Sequence, residues 1–506
     1  MEKRLFLAIA ASFLIIYGFS RLAPRQEQAQ PQSNSVSPIV ANEQKAVLPE
    51  PATDGSQLSD KQCVTKSFPS FDLLLEQPSN AISAITYKSY AGAEFALKNG
   101  LKVNMPGLVL ENSKTSDSGF ENYYKSGPLD VVQEFSYNSN YYSDLQIRIK
   151  NTADSQQIFT LPIYLGRFDF SQKSGQPGNT NIQDVTVSTA EKVSYPHPRK
   201  EALFGKIDFI GMRNKYFAAI IDPADQEFSG FIKPFSSQLV DVGLTSEPIV
   251  LLPGQERIFS FKVFLGPQDV DILNKTDLSW AAVVYYGKFN FFAHILLSAL
   301  KITYKLIHNW GIAIILVSVL IYLLLFPLTL KGFKTMKLTQ ELKPKIDQLQ
   351  AQYKGDPQRL NREMIQLYKE NKINPLSGCL PFILQIPIFG AFFLVLSRLI
   401  EIKGAHFLWI NDLSEPDRLI VMKNAIPFIG SDINLLPVLF LIISFIQQKF
   451  TPTSTGASAE QQKIFMFMTP VILGVVFYHM PSGLLLYSCV NAALMVLQMA
   501  FMAKKA

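Results

Sequence analysis

Two charge-free apolar runs decide the fold of this chain: WGIAIILVSVLIYLLLFPLTL at residues 310–330 and LSGCLPFILQIPIFGAFFLVLS at residues 376–397. As a helix, each run is about 30 Å long at about 1.5 Å per residue, enough to cross the hydrocarbon core of a bilayer. Between them lies a basic segment with helical periodicity, residues 331–372. Together the three segments predict a membrane protein whose basic loop faces the cytoplasm.

Four more apolar runs bring the prediction to six membrane spans. The first follows Lys3 and Arg4, and we interpret it as an uncleaved anchor rather than a signal peptide, because Arg21 and Leu22 interrupt any small-residue cleavage site. The predicted spans are residues 1–20, 308–330, 376–398, 433–449, 463–479 and 483–503.

The region before the second span predicts a separate β domain. Residues 21–60 are rich in Gln, Pro, Ser and Asn, which is typical of a disordered linker. Residues 61–282 contain short β-type runs broken by turn residues, and we expect no helical run among them. The clearest run, residues 257–264, alternates so that Phe259, Phe261 and Val263 share one face. We therefore predict a large antiparallel β-sandwich.

Residues 283–307 are predicted to form an amphipathic helix at the membrane interface. Their apolar residues recur at helical spacing, and Lys288, His294, Lys301 and Lys305 lie on the opposite side. The interspersed lysines argue against a further span.

The distribution of Lys and Arg predicts the orientation. Residues 331–372 are rich in Lys and Arg, whereas acids outnumber bases in residues 398–432. The short loop with Lys449 and Lys463 and the tail with Lys504 and Lys505 are basic again. Both termini are therefore predicted in the cytoplasm, and the β domain on the other side of the membrane.

The basic loop itself is predicted to form a helical hairpin. Apolar residues recur at three- and four-residue steps on both sides of Gly355, Asp356 and Pro357, where Gly ends one helix, Asp caps the next and Pro starts it. One interpretation is that the charges only hold the topology. The other is a docking surface for ribosomal RNA or lipid headgroups. The cations concerned are Lys343, Lys345, Lys354, Arg359 and Arg362.

Polar residues inside the apolar runs are the candidates for function. The apolar runs themselves contain no Asp, Glu, Lys or Arg, which argues against an ion-coupled transporter. The polar residues are Ser318, Tyr322, Thr329, Gln385, Thr469, Ser488, Asn491 and Gln498. Each can be a helix–helix hydrogen-bond partner, and together they can line a wet cavity. We find no nucleotide, metalloprotease or serine-hydrolase motif, and the five histidines do not pair at metal-ligand spacing. No enzyme activity, cofactor or metal is therefore predicted.

Seven motifs in this region resemble the YidC/Oxa/Alb family of membrane-protein insertases in its Gram-negative form. They are Asn-Trp-Gly at 309–311, Pro-Leu-Thr at 327–329, Leu-Lys-Pro-Lys-Ile at 342–346, Asn-Pro-Leu-Ser-Gly-Cys-Leu-Pro at 374–381, Gln-Ile-Pro-Ile-Phe at 385–389, Phe-Leu-Trp-Ile-Asn-Asp-Leu at 407–413 and Pro-Ser-Gly-Leu at 481–484. The motifs occur in the same order as in the family, and the resemblance covers about residues 290–503. The β region is similar to the family's periplasmic domain by position and texture.

The resemblance implies a five-helix core around a hydrophilic groove that is open to the cytoplasm and to lipid. A substrate's hydrophilic end would enter the groove while its apolar segment slides out along the third and fifth spans. The groove would be lined by Ser318, Tyr322, Gln385, Ser488 and Asn491. The slide would consist of Ile383, Ile386, Phe389, Val476 and Phe477.

The resemblance also implies partners. These are nascent inner-membrane proteins, the Sec translocon, membrane lipids and, weakly because the C-terminal tail is short, the ribosome. No nucleotide hydrolysis is implied. A secondary transporter or channel is the alternative, against which stand the missing ionisable groups and the lack of an evident repeat.

One position departs from the family. The family usually places an arginine in the groove five residues before the proline of Pro-Leu-Thr, and here that residue is Tyr322. Lys331 lies about 13 Å further along the helix and is too close to its cytoplasmic end to replace the arginine. We therefore expect a neutral wet groove in which Tyr322 offers a hydroxyl.

Overall fold

The structure is a computed structural model. It describes residues 63–77, 79–90, 92–139, 141–170, 183–224, 228–353, 355–371, 380–426, 430–450 and 459–504. The predicted anchor (1–20), the predicted linker (21–60) and Lys354 lie outside these residues.

The first half of the described chain is built from strands. They are β1 Cys63–Ser67, β2 Phe71–Glu76, β3 Ala81–Tyr87, β4 Ala93–Gly100, β5 Lys102–Val103, β6 Leu108–Thr115, β7 Gly119–Ser126, β8 Leu129–Ser139, β9 Tyr142–Asn151, β10 Gln157–Phe159, β11 Pro162–Asp169, β12 Asp184–Ser188, β13 Val193–Ser194, β14 Ala202–Lys206, β15 Phe209–Arg213, β16 Phe217–Asp222, β17 Phe228–Pro234, β18 Leu239–Ser246, β19 Ile249–Leu251 and β20 Glu256–Pro267. A late hairpin adds β21 Ile420–Ile426 and β22 Gly430–Ile433.

The early strands form an antiparallel β-sandwich, as predicted. A nine-stranded sheet runs in the order β13-β12-β15-β16-β20-β9-β8-β7-β6, and a five-stranded sheet in the order β14-β17-β18-β11-β5. A four-stranded meander, β1-β2-β3-β4, and a β10-β19 ribbon complete it. Phe259, Phe261 and Val263 of β20 are all buried, because side chains two residues apart point to the same face of a strand.

The expectation of no helix in residues 61–282 was wrong, because the described residues contain one α-helix and short 3-10 helices at Lys88–Tyr90 and Leu278–Val283. Helix α1 covers Val270–Thr276, directly after β20. The Asp269 side chain caps it by accepting a hydrogen bond from the Asp271 backbone N–H at 2.8 Å. The helix has only seven residues, too few for its apolar positions to show helical periodicity in the sequence.

The remaining helices form the C-terminal half. They are α2 Asn290–Ile307, α3 Trp310–Glu341, α4 Lys343–Gln352, α5 Pro357–Glu370, α6 Leu380–Arg398, α7 Leu435–Phe450, α8 Ala459–Phe477 and α9 Ser482–Lys504. Among the described residues, α3 and the Ser482–Met502 part of α9 are long and apolar enough to cross a membrane. Gln385–Arg398, Leu435–Gln448 and Phe467–Phe477 are shorter apolar stretches. The β-sandwich followed by a helical region is therefore confirmed, and the number of spans stays a prediction.

The Asn-Trp-Gly motif holds the start of α3. The Asn309 side chain caps the helix by accepting from the Ile312 backbone N–H at 3.0 Å. The Trp310 ring stacks on Tyr304 of α2 with ring centroids 4.1 Å apart. Gly311 permits close approach of another segment, because a Cβ there would lie 2.1 Å from Cγ of Phe407. The motif thus joins α2, α3 and the loop after α6.

Helix α3 extends beyond the predicted span end at residue 330. It continues to Glu341, so the hairpin begins later than predicted. Pro344 sets the new boundary, since it has no N–H to donate back into the helix. The hairpin then consists of α4 and α5, where the Asp356 side chain accepts from the Arg359 backbone N–H at 3.0 Å.

An ion-pair cluster connects the β-sandwich to the helices. The Lys301 ammonium of α2 lies 2.5 Å from an Asp269 carboxylate oxygen, 3.0 Å from Asp271 and 3.4 Å from Glu401, which follows α6. Burial alone would lower the pKa of Lys301, but Glu401 and Asp269 outweigh it and raise that pKa. Arg398, the last residue of α6, also donates to the Tyr285 carbonyl at 2.7 Å. The β-sandwich therefore lies at the C-terminal end of α6.

Candidate functional site

A cavity of about 330 Å³ lies among five helices of the C-terminal half. Helices α3, α6, α7, α8 and α9 each contribute to its wall. The lining residues are Tyr322, Leu325, Leu328, Thr329, Gln385, Phe389, Phe440, Ser444, Gln447, Gln448, Thr469, Pro470, Leu473, Phe477, Tyr487, Ser488, Asn491, Ala492 and Met495. None of these described residues carries a formal charge at neutral pH, and ten of them carry an amide or a hydroxyl.

The cavity has an aromatic end and a polar end. On each of the five helices, the lining residue nearest the β-sandwich side is aromatic, and these residues are Tyr322, Phe389, Phe440, Phe477 and Tyr487. Amides and hydroxyls lie on the wall further from the β-sandwich, among apolar side chains that make up most of its exposed surface. This arrangement follows from the alternating direction of the helices, which brings the N-terminal parts of α3, α7 and α9 beside the C-terminal parts of α6 and α8.

The aromatic rings at that end pack against one another. Phe389 stacks on Phe477 with centroids 5.7 Å apart, and Phe440 lies 5.2 Å from Phe477. Tyr487 stacks on Phe392, which is fully buried, at 3.9 Å. Such contacts make this end of the wall a packed aromatic cluster.

Tyr322 is tied to α9 by a hydrogen bond. Its hydroxyl donates to Oε1 of Gln498, and the Gln498 amide Nε2 lies 3.2 Å from Oγ1 of Thr329. Tyr322 and Gln498 are both buried. The hydroxyl at the family's arginine position is therefore held in a network of neutral groups.

A second network crosses from α6 to α9. The Gln385 amide donates to the Tyr487 hydroxyl at 2.5 Å, and the Asn491 amide approaches the same oxygen at 3.4 Å. The lone amide of the 376–397 run thus finds its partner in the last helix. Gln385 and Tyr487 join two opposite parts of the wall.

Four of the five residues predicted for the groove lie together on this wall: Tyr322, Gln385, Ser488 and Asn491. Ser318 differs, because it is not among the lining residues. Its hydroxyl donates to the Ile314 carbonyl of its own helix at 2.6 Å, and the side chain is only 2% exposed. It lies one turn before Tyr322, in the tightly packed start of α3.

Sequence reasoning missed the contribution of α7. Ser444, Gln447 and Gln448 line the cavity, and the Gln447 amide reaches the Met495 sulfur at 3.0 Å. The available signal was the amide pair at the end of an otherwise apolar run. Position along the run does not show which way those side chains face.

Four of the five residues predicted for the slide form two pairs in the structure. Ile386 and Val476 are 65% and 48% exposed on α6 and α8. Phe389 and Phe477 are the stacked pair beside them at the cavity wall. The side chain of Ile383 lies outside the described residues. An apolar surface therefore borders the cavity between these two helices.

The hairpin cations lie away from this cavity. Lys345, Arg359 and Arg362 are exposed, and Lys343 is half-buried. The Arg359 guanidinium lies 5.1 Å from the centre of the Tyr353 ring. Leu342 and Ile346 pack against residues of α5 in a small apolar seam. The hairpin thus presents a basic outer face on a weak core.

Comparisons of the sequence with known families and curated proteins point to one family. The family described as 60Kd inner membrane protein matches residues 302–506, and the family described as YidC periplasmic domain matches residues 122–299. The membrane protein insertase YidC of Geotalea daltonii is 28% identical over 548 residues, which cover 100% of this chain and 99% of that protein. That of Syntrophobacter fumaroxidans is 32% identical over 409 residues, 78% of this chain and 72% of that protein.

Among solved structures, a crystal structure of an active YidC insertase with its first transmembrane domain resolved is similar to this chain. The two chains are 16% identical, and the match covers 88% of this chain and 93% of that chain with a TM-score of 0.40.

Proposed function

The chain belongs to the YidC family of membrane protein insertases, and on that premise we propose that its cavity receives the hydrophilic segment of a nascent inner-membrane protein. The chain is an inner-membrane protein with a periplasmic β-sandwich domain. Insertion of membrane proteins is its function, as in its relatives.

The mixed wall of the cavity is the observation that carries the proposal. Moving a peptide group into hydrocarbon without a hydrogen-bond partner costs about 2–7 kcal/mol, so a polar tail cannot cross a bilayer unaided. A cavity of about 330 Å³ with amides and hydroxyls on its wall offers partners to such a tail. The packed aromatic end limits how far the wet space extends. The tail then has only part of the bilayer's thickness left to cross.

The surface between α6 and α8 is proposed as the exit for the apolar segment. Ile386 and Val476 are exposed there, and Phe389 and Phe477 border the cavity. A substrate helix placed on this surface has its polar end beside the cavity and its apolar side chains in lipid. No nucleotide is needed, because burial of apolar surface in lipid drives the step.

The topology and partners complete the proposal. Six spans, cytoplasmic termini and a cytoplasmic hairpin agree with the basic charge of the hairpin and of the tail. The exposed cations of the hairpin suit lipid headgroups and, more weakly, the ribosome. Cooperation with the Sec translocon is proposed for substrates with large translocated domains.

Insertion into proteoliposomes tests the proposal. Purified protein in liposomes should insert a small single-span substrate without added nucleotide, measured by protection of the translocated tail from protease. Strict dependence on ATP would contradict it. A photo-crosslinking residue at position 386 or 476 should capture the substrate's apolar segment. Position 320, where Leu320 is 52% exposed on α3, is the matched control and should capture little.

A further inference from the structure

The polar groups on the cavity wall are all neutral, and all of them can both donate and accept hydrogen bonds. Gln385, Gln447, Gln448 and Asn491 carry primary amides, and each primary amide both donates and accepts hydrogen bonds. The hydroxyls of the wall also do both. An amide N–H and a hydroxyl proton can receive a carboxylate, and an amide carbonyl and a hydroxyl oxygen can receive an ammonium. The polar groups of this wall can therefore form hydrogen bonds with a charge of either sign.

The network around Tyr322 supports this interpretation. The Tyr322 hydroxyl donates to Gln498, which also contacts Thr329 at 3.2 Å. Tyr322 and Thr329 line the cavity, while Gln498 lies behind them in α9. The amide can rotate to exchange its donor and acceptor sides, so the two lining hydroxyls can turn their protons toward or away from the cavity.

We propose that this insertase selects hydrophilic tails by their capacity for hydrogen bonding and without preference for the sign of their charge. Tails rich in amides and hydroxyls are then inserted best, and acidic and basic tails of equal length are handled alike. This inference rests on the proposed role of the cavity in receiving the tail.

The experiment compares three substrates that differ only in the tail. Tails of equal length carry Asn, Asp or Lys at all variable positions. Insertion rates are measured in proteoliposomes of zwitterionic lipid without a membrane potential, because anionic lipid or a potential would itself favour one sign of charge. Insertion of the Asn tail reports the proposed function independently of charge.

We expect the Asn tail to insert fastest, and the Asp and Lys tails to insert at rates within about threefold of each other. In Tyr322→Arg, the ratio of Asp-tail to Lys-tail rates should rise by about tenfold or more, because a fixed cation then faces the tail. Tyr322→Phe is the matched control. It should lower the rates without changing that ratio.

The results of this experiment distinguish a failure of charge-independent selection from a failure of the proposed insertion mechanism. Insertion of the Asn tail together with a difference above about threefold between Asp and Lys tails in the wild type would overturn charge-independent selection and leave the insertion mechanism standing. Failure to insert any of the tails would overturn both. If Tyr322→Arg does not fold, the wild-type ratio decides alone.

Discussion

Tyr487 offers the sharpest test of how the cavity is closed, because its hydroxyl and its ring have separate contacts. The hydroxyl accepts from Gln385 at 2.5 Å and more weakly from Asn491 at 3.4 Å. The ring stacks on Phe392 at 3.9 Å, and the residue is 2% exposed. Tyr487→Phe removes only the hydroxyl contacts, and Tyr487→Ala removes the ring as well.

The two substitutions should differ in the free energy of unfolding. A hydrogen bond between membrane helices contributes about 0.6 kcal/mol on average and at most about 1.7 kcal/mol. Tyr487→Phe should therefore destabilise by about 0.6–1.7 kcal/mol. Truncation of a buried aromatic ring to Ala costs about 3–5 kcal/mol, because the surrounding groups only partly fill the space. Because the step from Phe to Ala removes the ring alone, Tyr487→Ala should lose about 3–5 kcal/mol more than Tyr487→Phe.

Two measurements on the full chain check this expectation. Denaturant unfolding in detergent micelles gives the two free-energy differences. Leakage of a small ion from proteoliposomes reports whether the aromatic end still excludes water. We expect Tyr487→Phe to remain as tight as the wild type and Tyr487→Ala to leak.

Two results would refute the reasoning. Equal destabilisation by Phe and Ala would show that the ring does not support the packing of the aromatic end. Leakage in Tyr487→Phe at wild-type stability would show that the hydrogen bond to Gln385, rather than the packed rings, closes the cavity.

Two further predictions concern the β-sandwich. Asp241→Ala should destabilise the β-sandwich by about 3–5 kcal/mol, since it leaves buried Arg167 without the carboxylate that lies 2.5 Å away. The double substitution Arg167→Met/Asp241→Leu should cost much less, because no buried charge is left behind. Equal losses in calorimetry would contradict this. Burial raises the pKa of Asp222, whose carboxylate accepts a hydrogen bond from Trp280 at 3.0 Å. The contribution of Asp222 to stability is therefore full below about pH 3.8 and is lost as the pH rises through the folded pKa of Asp222. Asp222→Asn should therefore gain stability relative to the wild type between acidic and neutral pH, and an unchanged difference would reject the assignment.

Much of the local structure could be predicted because its causes are local. Alternation in residues 257–264 indicated a strand, and the cap residue Asp356 indicated where α5 begins. The end of α3 was misplaced, because the charges after residue 330 suggested that the span ends there and a separate hairpin helix begins, whereas one helix continues to Glu341. Short α1 was missed because seven residues carry too little periodicity.

The sequence by itself determined the apolar runs, the basic hairpin and the residue at the arginine position, since length, charge and identity are written in the chain. Only the tertiary structure decided which polar side chains meet. The rotation of each helix about its axis depends on packing against all its neighbours, so it brought Gln447 and Gln448 to the wall and kept Ser318 from it. It also paired Tyr322 with Gln498 and Gln385 with Tyr487, contacts that join distant helices and that no local pattern contains.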